Sequence, residues 1–518
     1  MNEPTLQQLY DMLPIEGSER LERYLDRCNL GDPIDRTTPL CTPQTREKVA
    51  EEFKEVVGST EFEDYTEIDL HEFGKVGPVS PIPPYSERKD DVLKYWQQHW
   101  KPDSEALSYA VNNVMSILPR RSLRLASMQL AFDEMPKDTN LGLPWFTRER
   151  KYAGSYLDRA LKENGINDWY PFVLFTRSTA SGDKPRTRSV FGADHLDTIR
   201  CMTILYPLLN SLRAKRGFSP WLGDAYVDEE ATRILKHSAG KRILSGDYRG
   251  FDNSLPGELM DLADTIMKYW FIETAHPRID LVGEACKTLG LVVPYEVLPP
   301  RNGGMPSGHG LTNMKDTLCN LIAMHYVAAR CGVSLQDFIV LGDDFVALYS
   351  EDIDLDSFAE CADEIGLEAN PDKQFVSTDA LHFLQKWHSL RYEIDGVCVG
   401  CHSPYRTLQN LLSYERFKQG WSKWMDTVRW IMQIEVCSGD PRHERVCQFI
   451  VDRDEVLKSG VDPVMAFKRA GGSRKIREVL DIASFPFNVK NPDRVDVFKT
   501  TEVIRRLQGR INGQPSGS

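Results

Sequence analysis

Residues 340–348 read VLGDDFVAL, an apolar run broken by Gly342 and two adjacent aspartates, Asp343 and Asp344. Apolar stretches of this length are usually strands buried on both faces. Two neighbouring carboxylates do not belong there without help. At about 4 Å and an effective dielectric near 20 they repel by roughly 4 kcal/mol. Gly and Asp tolerate tight turns, so the run reads as a hairpin with the pair at or near its tip. Either that tip is open to water, or cations supply the missing charge. The pair alone does not choose.

At 518 residues the chain is long for one core, and about two to four subdomains are expected. Hydrophobic residues make up 41%, with 10 Trp, 19 Tyr and 22 Phe, which excludes a disordered chain. The net charge of −13 argues against a protein coated in nucleic acid but allows an enclosed basic channel. Eleven cysteines follow no framework spacing, and MNEPTLQQLYDML lacks a secretory pattern. Free thiols in a reducing compartment are expected. No run approaches 18 apolar residues, so no membrane span is expected.

Residues 1–27 read as a short helix, a break at Pro14 and a second helix; 74–88, GKVGPVSPIPPYSER, reads as an extended linker. Helical patterns fill 90–131 and include the basic cluster Arg120, Arg121 and Arg124. ILSGDYRGFD (243–252) reads as a short strand ending in charge, followed by a helix from Pro256. Helices are expected at about 312–330 and 355–365, and a second hairpin at YEIDGVCVG turning on Asp395 and Gly396. Beyond 404 the pattern is helical to about 483, with a polar tail at 512–518. The middle is thus α+β and the last quarter α.

A strand that delivers Asp247 beside a hairpin that delivers Asp343 would gather carboxylates that divalent cations must neutralise. Hard oxygen donors suit Mg²⁺ or Mn²⁺, and two ions serve in-line phosphoryl transfer. For Asp247 alone, a turn or cap is the simpler reading. DYRGFD, GGMPSGHGLTN and LGDDF, in that order, resemble motifs A, B and C of viral RNA-dependent RNA polymerases. LGLPWF (141–146) resembles motif G, DKPRTRSVFG (183–192) motif F, NPDKQFV (370–376) motif D and HFLQKW (382–387) motif E. Seven matches in order span 139–388, about half the chain, and the wording is most similar to picobirnavirus and then partitivirus polymerases.

The resemblance implies an α+β right hand: fingers, a palm with an antiparallel sheet, and a helical thumb, closed by N-terminal fingertips. It places a fingers–thumb bridge at 1–70, fingers at 71–242 and 257–300, palm at 243–256 and 301–400, and thumb and tail at 401–518. It implies Asp247 and Asp343 as the main catalytic ligands of two Mg²⁺ or Mn²⁺ ions, with Asp344 assisting or held near the primer end and the Tyr248 carbonyl as a further ligand. Lys373 would protonate pyrophosphate; a surface lysine is the equal rival. Asp252 would read the ribose 2′-OH, supported by Thr312, with Ser307 and Gly308 in a mobile loop under template and nucleotide. Gly142 and Pro144 would meet the template. Lys184, Arg186 and Arg188, two apart and so on one face of an extended strand, would cover the triphosphate. Where relatives commonly carry Asn, this chain has Asp316, so either Asn313 takes the ribose role or Lys315 neutralises Asp316. An ionised Asp accepts but cannot donate to a 2′-OH.

The partners implied are template and nascent RNA, rNTPs and a viral capsid protein, in the virion interior and host cytoplasm. Synthesis without a primer is compatible with the resemblance. A reverse transcriptase would favour an aromatic gate and Tyr-x-Asp-Asp, against Asp252 and LGDD here. A non-catalytic RNA-binding subunit would not need Asp247, Asp343 and Lys184 together. Cys398-Val-Gly-Cys401-His402 matches a haem-attachment spacing, but buried or edge cysteines are the expected reading. Gly303-Gly304 lacks the GK[ST] of a P-loop.

Overall fold

The computed structural model describes residues 4–136, 139–162, 169–416, 420–480, 489 and 491–511. The tail at 512–518 and the end of the helical pattern near 483 lie outside them. The chain divides into two units: Met1–Gly31, Pro83–Arg177 and Ser189–Phe383 form the first, and Asp32–Ile82, Ser178–Arg188 and Leu384–Ser518 the second.

Strands are numbered in chain order: β1 (Phe172–Thr179), β2 (Arg186–Gly192), β3 (Ile243–Gly246), β4 (Leu291–Val293), β5 (Glu296–Leu298), β6 (Leu335–Leu341), β7 (Asp344–Tyr349) and β8 (Phe375–Ser377). In the first unit an antiparallel sheet runs β6-β7-β3-β8. Its two central strands are short and apolar because both faces are covered, as the VLGDDFVAL run requires: Phe345 to Tyr349 are all buried. A separate group pairs β1 with β4 in parallel and β4 with β5 antiparallel.

The helix Thr312–Arg330 is buried along most of its length. It packs on Ser104–Met115, on Gly257–Trp270 and on β6, so one element ties the sheet to the helical layer. Pro256 stands just before the helix Gly257–Trp270 rather than as its first residue, in extended conformation and bridged to Gly303. Leu355–Glu364 starts on the Asp354 cap and ends before Gly366 at φ 80°. The N-terminal pair appears as Leu6–Met12 and Ile15–Leu30, split at Pro14.

In the second unit, 40–57 and the C-terminal helices share one apolar core, including Phe53, Tyr405, Phe449 and Ile504. Trp387 stacks on Tyr65 at 5.1 Å and donates to Asp64 at 2.9 Å. The hairpin of Glu393–Ile394 and Val397–Cys398 turns on Asp395 and Gly396, both at positive φ, the pattern of a type I′ turn. Cys398, Cys401 and His402 are buried within this unit, and His402 Nδ1 lies 3.2 Å from the Gln385 carbonyl. That is packing, not haem attachment. Among the described residues no helix is long and apolar enough to cross a membrane.

Candidate active site

β6 and β7 close at Leu341 opposite Asp344, leaving Gly342 and Asp343 as a two-residue turn. Gly342 has φ 66° while Asp343 keeps negative φ, the pattern of a type II′ turn, whose first position wants glycine. β3 pairs with β7 so that Gly246 faces Phe345. Extending that register by one residue sets Asp247 across from Asp344, with Asp343 on the adjoining tip. Asp247 and Asp343 are exposed and Asp344 half-buried. Beneath them Tyr248 packs on Phe251 and Phe345, each with ring centroids 5.4 Å apart, and Phe345 packs on Phe358. This aromatic floor lets the strand ends project charge from a rigid base.

Two more carboxylates adjoin the cluster. Asp252 lies on the short helix Phe251–Ser254, and its carbonyl accepts from Met305 N–H at 2.6 Å. Asp316, one turn into Thr312–Arg330, is buried with Oδ1 lacking a hydrogen-bond partner. Burial, together with the charges of Asp252 and Asp343, pushes its carboxyl well above the usual range. Such a group either keeps a proton or draws cations. Lys315 offsets this only in part, because its ammonium is 2.8 Å from Asp264 in a buried pair. Asn313 is also engaged, accepting from Trp221 Nε1 at 2.8 Å.

The loop 305–311 is fastened on several sides. Gly308 bridges Gly192, and Ser307 Oγ donates to the Ser189 carbonyl at 3.4 Å. The Thr312 hydroxyl lies 2.8 Å from both the Pro306 and the His309 carbonyls, so it braces the loop. Among the described residues, the three potential ligand atoms that approach within 4.8 Å of one another belong to Asp197, Cys201 and His309, not to the aspartate cluster. His309 Nε2 is 3.1 Å from Asp197 Oδ1 and 3.5 Å from Cys201 Sγ. Its Nδ1, however, faces Leu311 N–H at 3.2 Å, and the Asp197 carboxylate draws a proton onto the ring in spite of its burial. A metal-bound histidine donates through its other nitrogen instead. The trio is a buried anchor for the loop. No local pattern announces it, since residues 197 and 309 lie far apart in the chain.

A family model described as viral RNA-dependent RNA polymerase matches residues 173–416, which contain the cluster. The chain is 26% identical over 479 residues to a potential RNA-dependent RNA polymerase of human picobirnavirus, covering 87% of this chain and 88% of that one. The chain belongs to the viral RNA-dependent RNA polymerases. It is also 26% identical over 335 residues to the RNA-directed RNA polymerase of Cryptosporidium parvum virus 1, covering 57% of this chain and 61% of that one. The fold is similar to the crystal structure of the RNA-dependent RNA polymerase of a human picobirnavirus, with TM-score 0.80, 23% identity and coverage of 94% and 96%.

Several further residues are placed in the polymerase as follows. Arg186 and Arg188 are exposed on β2 to either side of half-buried Thr187, so they share a face, and Lys184 is exposed in the bend before the strand; all three belong to the second unit. Lys373 ends the short 3₁₀ turn Pro371–Lys373 and is exposed. Gly142 is buried at φ 69°, and a Cβ there would sit 2.5 Å from Asp194 Cα; that conformation and that contact each require the glycine. Pro144 is half-buried beside Gly17 of the helix Ile15–Leu30. Tyr248 is buried and its backbone bridges Ala369.

Proposed function

We propose that the polymerase joins an incoming rNTP to the 3′-OH of an RNA strand at the cluster of Asp247, Asp343 and Asp344. The observation that carries this is the β3–β7 register, which sets one carboxylate across from another beside a tip bearing a third. The donors fit hard divalent cations: they are carboxylate oxygens, two of them exposed, backed by the unpartnered Oδ1 of Asp316. Two Mg²⁺ or Mn²⁺ ions, when bound, would stabilise the attacking and leaving oxygens. Asp247, Asp343 and Asp344 would hold them, with the Tyr248 carbonyl available beside Asp247.

Asp252 and Asp316 are assigned the ribose, since Asp316 is buried within reach of the Asp252 charge while Asn313 is held by Trp221. Ser307, Gly308 and Thr312 shape the loop that supports template and nucleotide. Lys184, Arg186 and Arg188 keep the triphosphate role, Lys373 that of proton donor to pyrophosphate, and Gly142 and Pro144 that of template contacts. On the same reading 243–256 and 301–400 are palm, 71–242 and 257–300 fingers, 1–70 the bridge and 401–518 the thumb. The polymerase then copies a viral genome with a capsid protein as partner, inside the particle and in host cytoplasm.

The test is primed and unprimed incorporation on an RNA template. Asp343→Asn should abolish rNTP incorporation, at least about 1,000-fold, while leaving thermal stability intact. Near-normal activity in that variant overturns the metal assignment.

A further inference from the structure

Two carboxamide side chains that belong to none of the roles above hold the backbone of the two ligand segments. β3 ends at Gly246, so Asp247 has left the ladder. There the Gln374 side chain takes over. Its Nε2 donates to the Asp247 carbonyl at 2.9 Å and to the Asn370 carbonyl at 3.0 Å, and its Oε1 accepts from Asp247 N–H at 3.1 Å. Both main-chain polar groups of Asp247 are thereby held by one side chain, as a neighbouring strand would hold them.

At the hairpin tip, Asn320 Nδ2 donates to the Gly342 and Asp343 carbonyls, each at 3.0 Å. Thr317 Oγ1 accepts from Gly342 N–H at 2.8 Å and donates to the Asn313 carbonyl at 2.7 Å. Asn320 and Thr317 are fully buried on Thr312–Arg330, so the turn is pinned to the most buried helix of the unit.

Asp247 and Asp343 carry exposed side chains, and water could satisfy their main-chain groups at little cost. Ordering a Gln and an Asn for that purpose costs side-chain entropy, and what it yields is orientation of two peptide planes. We infer that Gln374 and Asn320 are positioning residues for nucleotidyl transfer, each fixing the backbone of one ligand so that the Asp247 and Asp343 carboxylates converge on the same cations. The inference rests on the assignment of those aspartates as ligands. Partners that orient a metal ligand are typically worth about 10–100-fold in metal affinity or activity.

The variants are Gln374→Met and Asn320→Leu, close in size and without the hydrogen bonds. Each is assayed for single-rNTP incorporation on primed RNA template against Mg²⁺ concentration, beside wild type, Asp247→Asn and Asp343→Asn. Gln374→Met is expected to raise half-saturating Mg²⁺ and lower kcat by about 10-fold or more each, with KM for rNTP within about threefold and Tm unchanged. A merely structural role would lower Tm and leave the Mg²⁺ dependence alone. Asn320 is buried, so Asn320→Leu can fail to fold; Gln374 is half-buried, and Gln374→Met decides the matter alone. If the aspartate variants are inactive and Gln374→Met keeps wild-type Mg²⁺ dependence and kcat, the positioning role is refuted. If the aspartate variants stay active, the ligand assignment itself has failed.

Discussion

Replacing Gly308 with alanine asks whether the loop proposed to support the nucleotide must lie where the structure holds it. A Cβ at 308 would sit 2.1 Å from the Phe191 carbonyl oxygen and 3.0 Å from its carbon, where ordinary contact begins at 3.4 Å. The obstacle is backbone and cannot rotate aside, so loop and strand must part by about 1.3 Å. That separation breaks the Gly192–Gly308 bridge and draws Ser307 away from the Ser189 carbonyl. Overpacking of this kind costs about 1–3 kcal/mol, so a modest fall in Tm is expected. The effect on rate is larger. A misplacement near 1 Å in a positioning segment costs on the order of 100-fold, or about 2.7 kcal/mol of transition-state stabilisation. Single-rNTP incorporation on a primed template should show kcat/KM for Gly308→Ala lowered by roughly 30- to 300-fold. A variant within threefold of wild type would refute the claim that this contact sets the loop.

Asp194 offers a stability test. It caps His195–Leu212 by accepting from Asp197 N–H at 2.8 Å, and burial pushes its carboxyl up to about 7. Because the folded value lies above the unfolded one, the folded state binds more protons. Its stabilising contribution is complete in acid and is lost as pH rises from about 4 through 7. Asp194→Asn keeps a capping oxygen, so it should gain on the order of 2–3 kcal/mol relative to wild type between pH 5 and pH 8, read from urea midpoints; an unchanged difference would count against the buried charge. Asp316→Ala should reduce the preference for rNTP over dNTP by about tenfold or more, while Asn313→Ala leaves it within twofold. The reverse pattern would return ribose recognition to Asn313. Mg²⁺ added to EDTA-treated protein should raise Tm, since cations relieve repulsion in the acidic cluster, and a Tm indifferent to Mg²⁺ would speak against a metal site.

What the sequence determined by itself is local. VLGDDFVAL reads as a hairpin with charge near its tip, because adjacent carboxylates are costly in a buried strand and glycine accepts the positive φ that such a turn needs. The helices around 312–330 and 355–365 were legible from periodicity and their glycine stops, and the common face of Arg186 and Arg188 from the two-residue period of extended chain, while Lys184 falls in the bend before the strand. The order of the motifs identified the family. Pairing and partner choice came only with the tertiary structure. Nothing in the chain text says that Gly246 faces Phe345, yet that register sets Asp247 against Asp344. Lys315 stands next to Asp316 in sequence but pairs with Asp264, because adjacent residues on a helix point about 100° apart. The grips of Gln374 on Asp247 and of His309 on Asp197 join residues more than a hundred positions apart. Such contacts are made by the packing of whole elements, and a local pattern of residues carries no record of them.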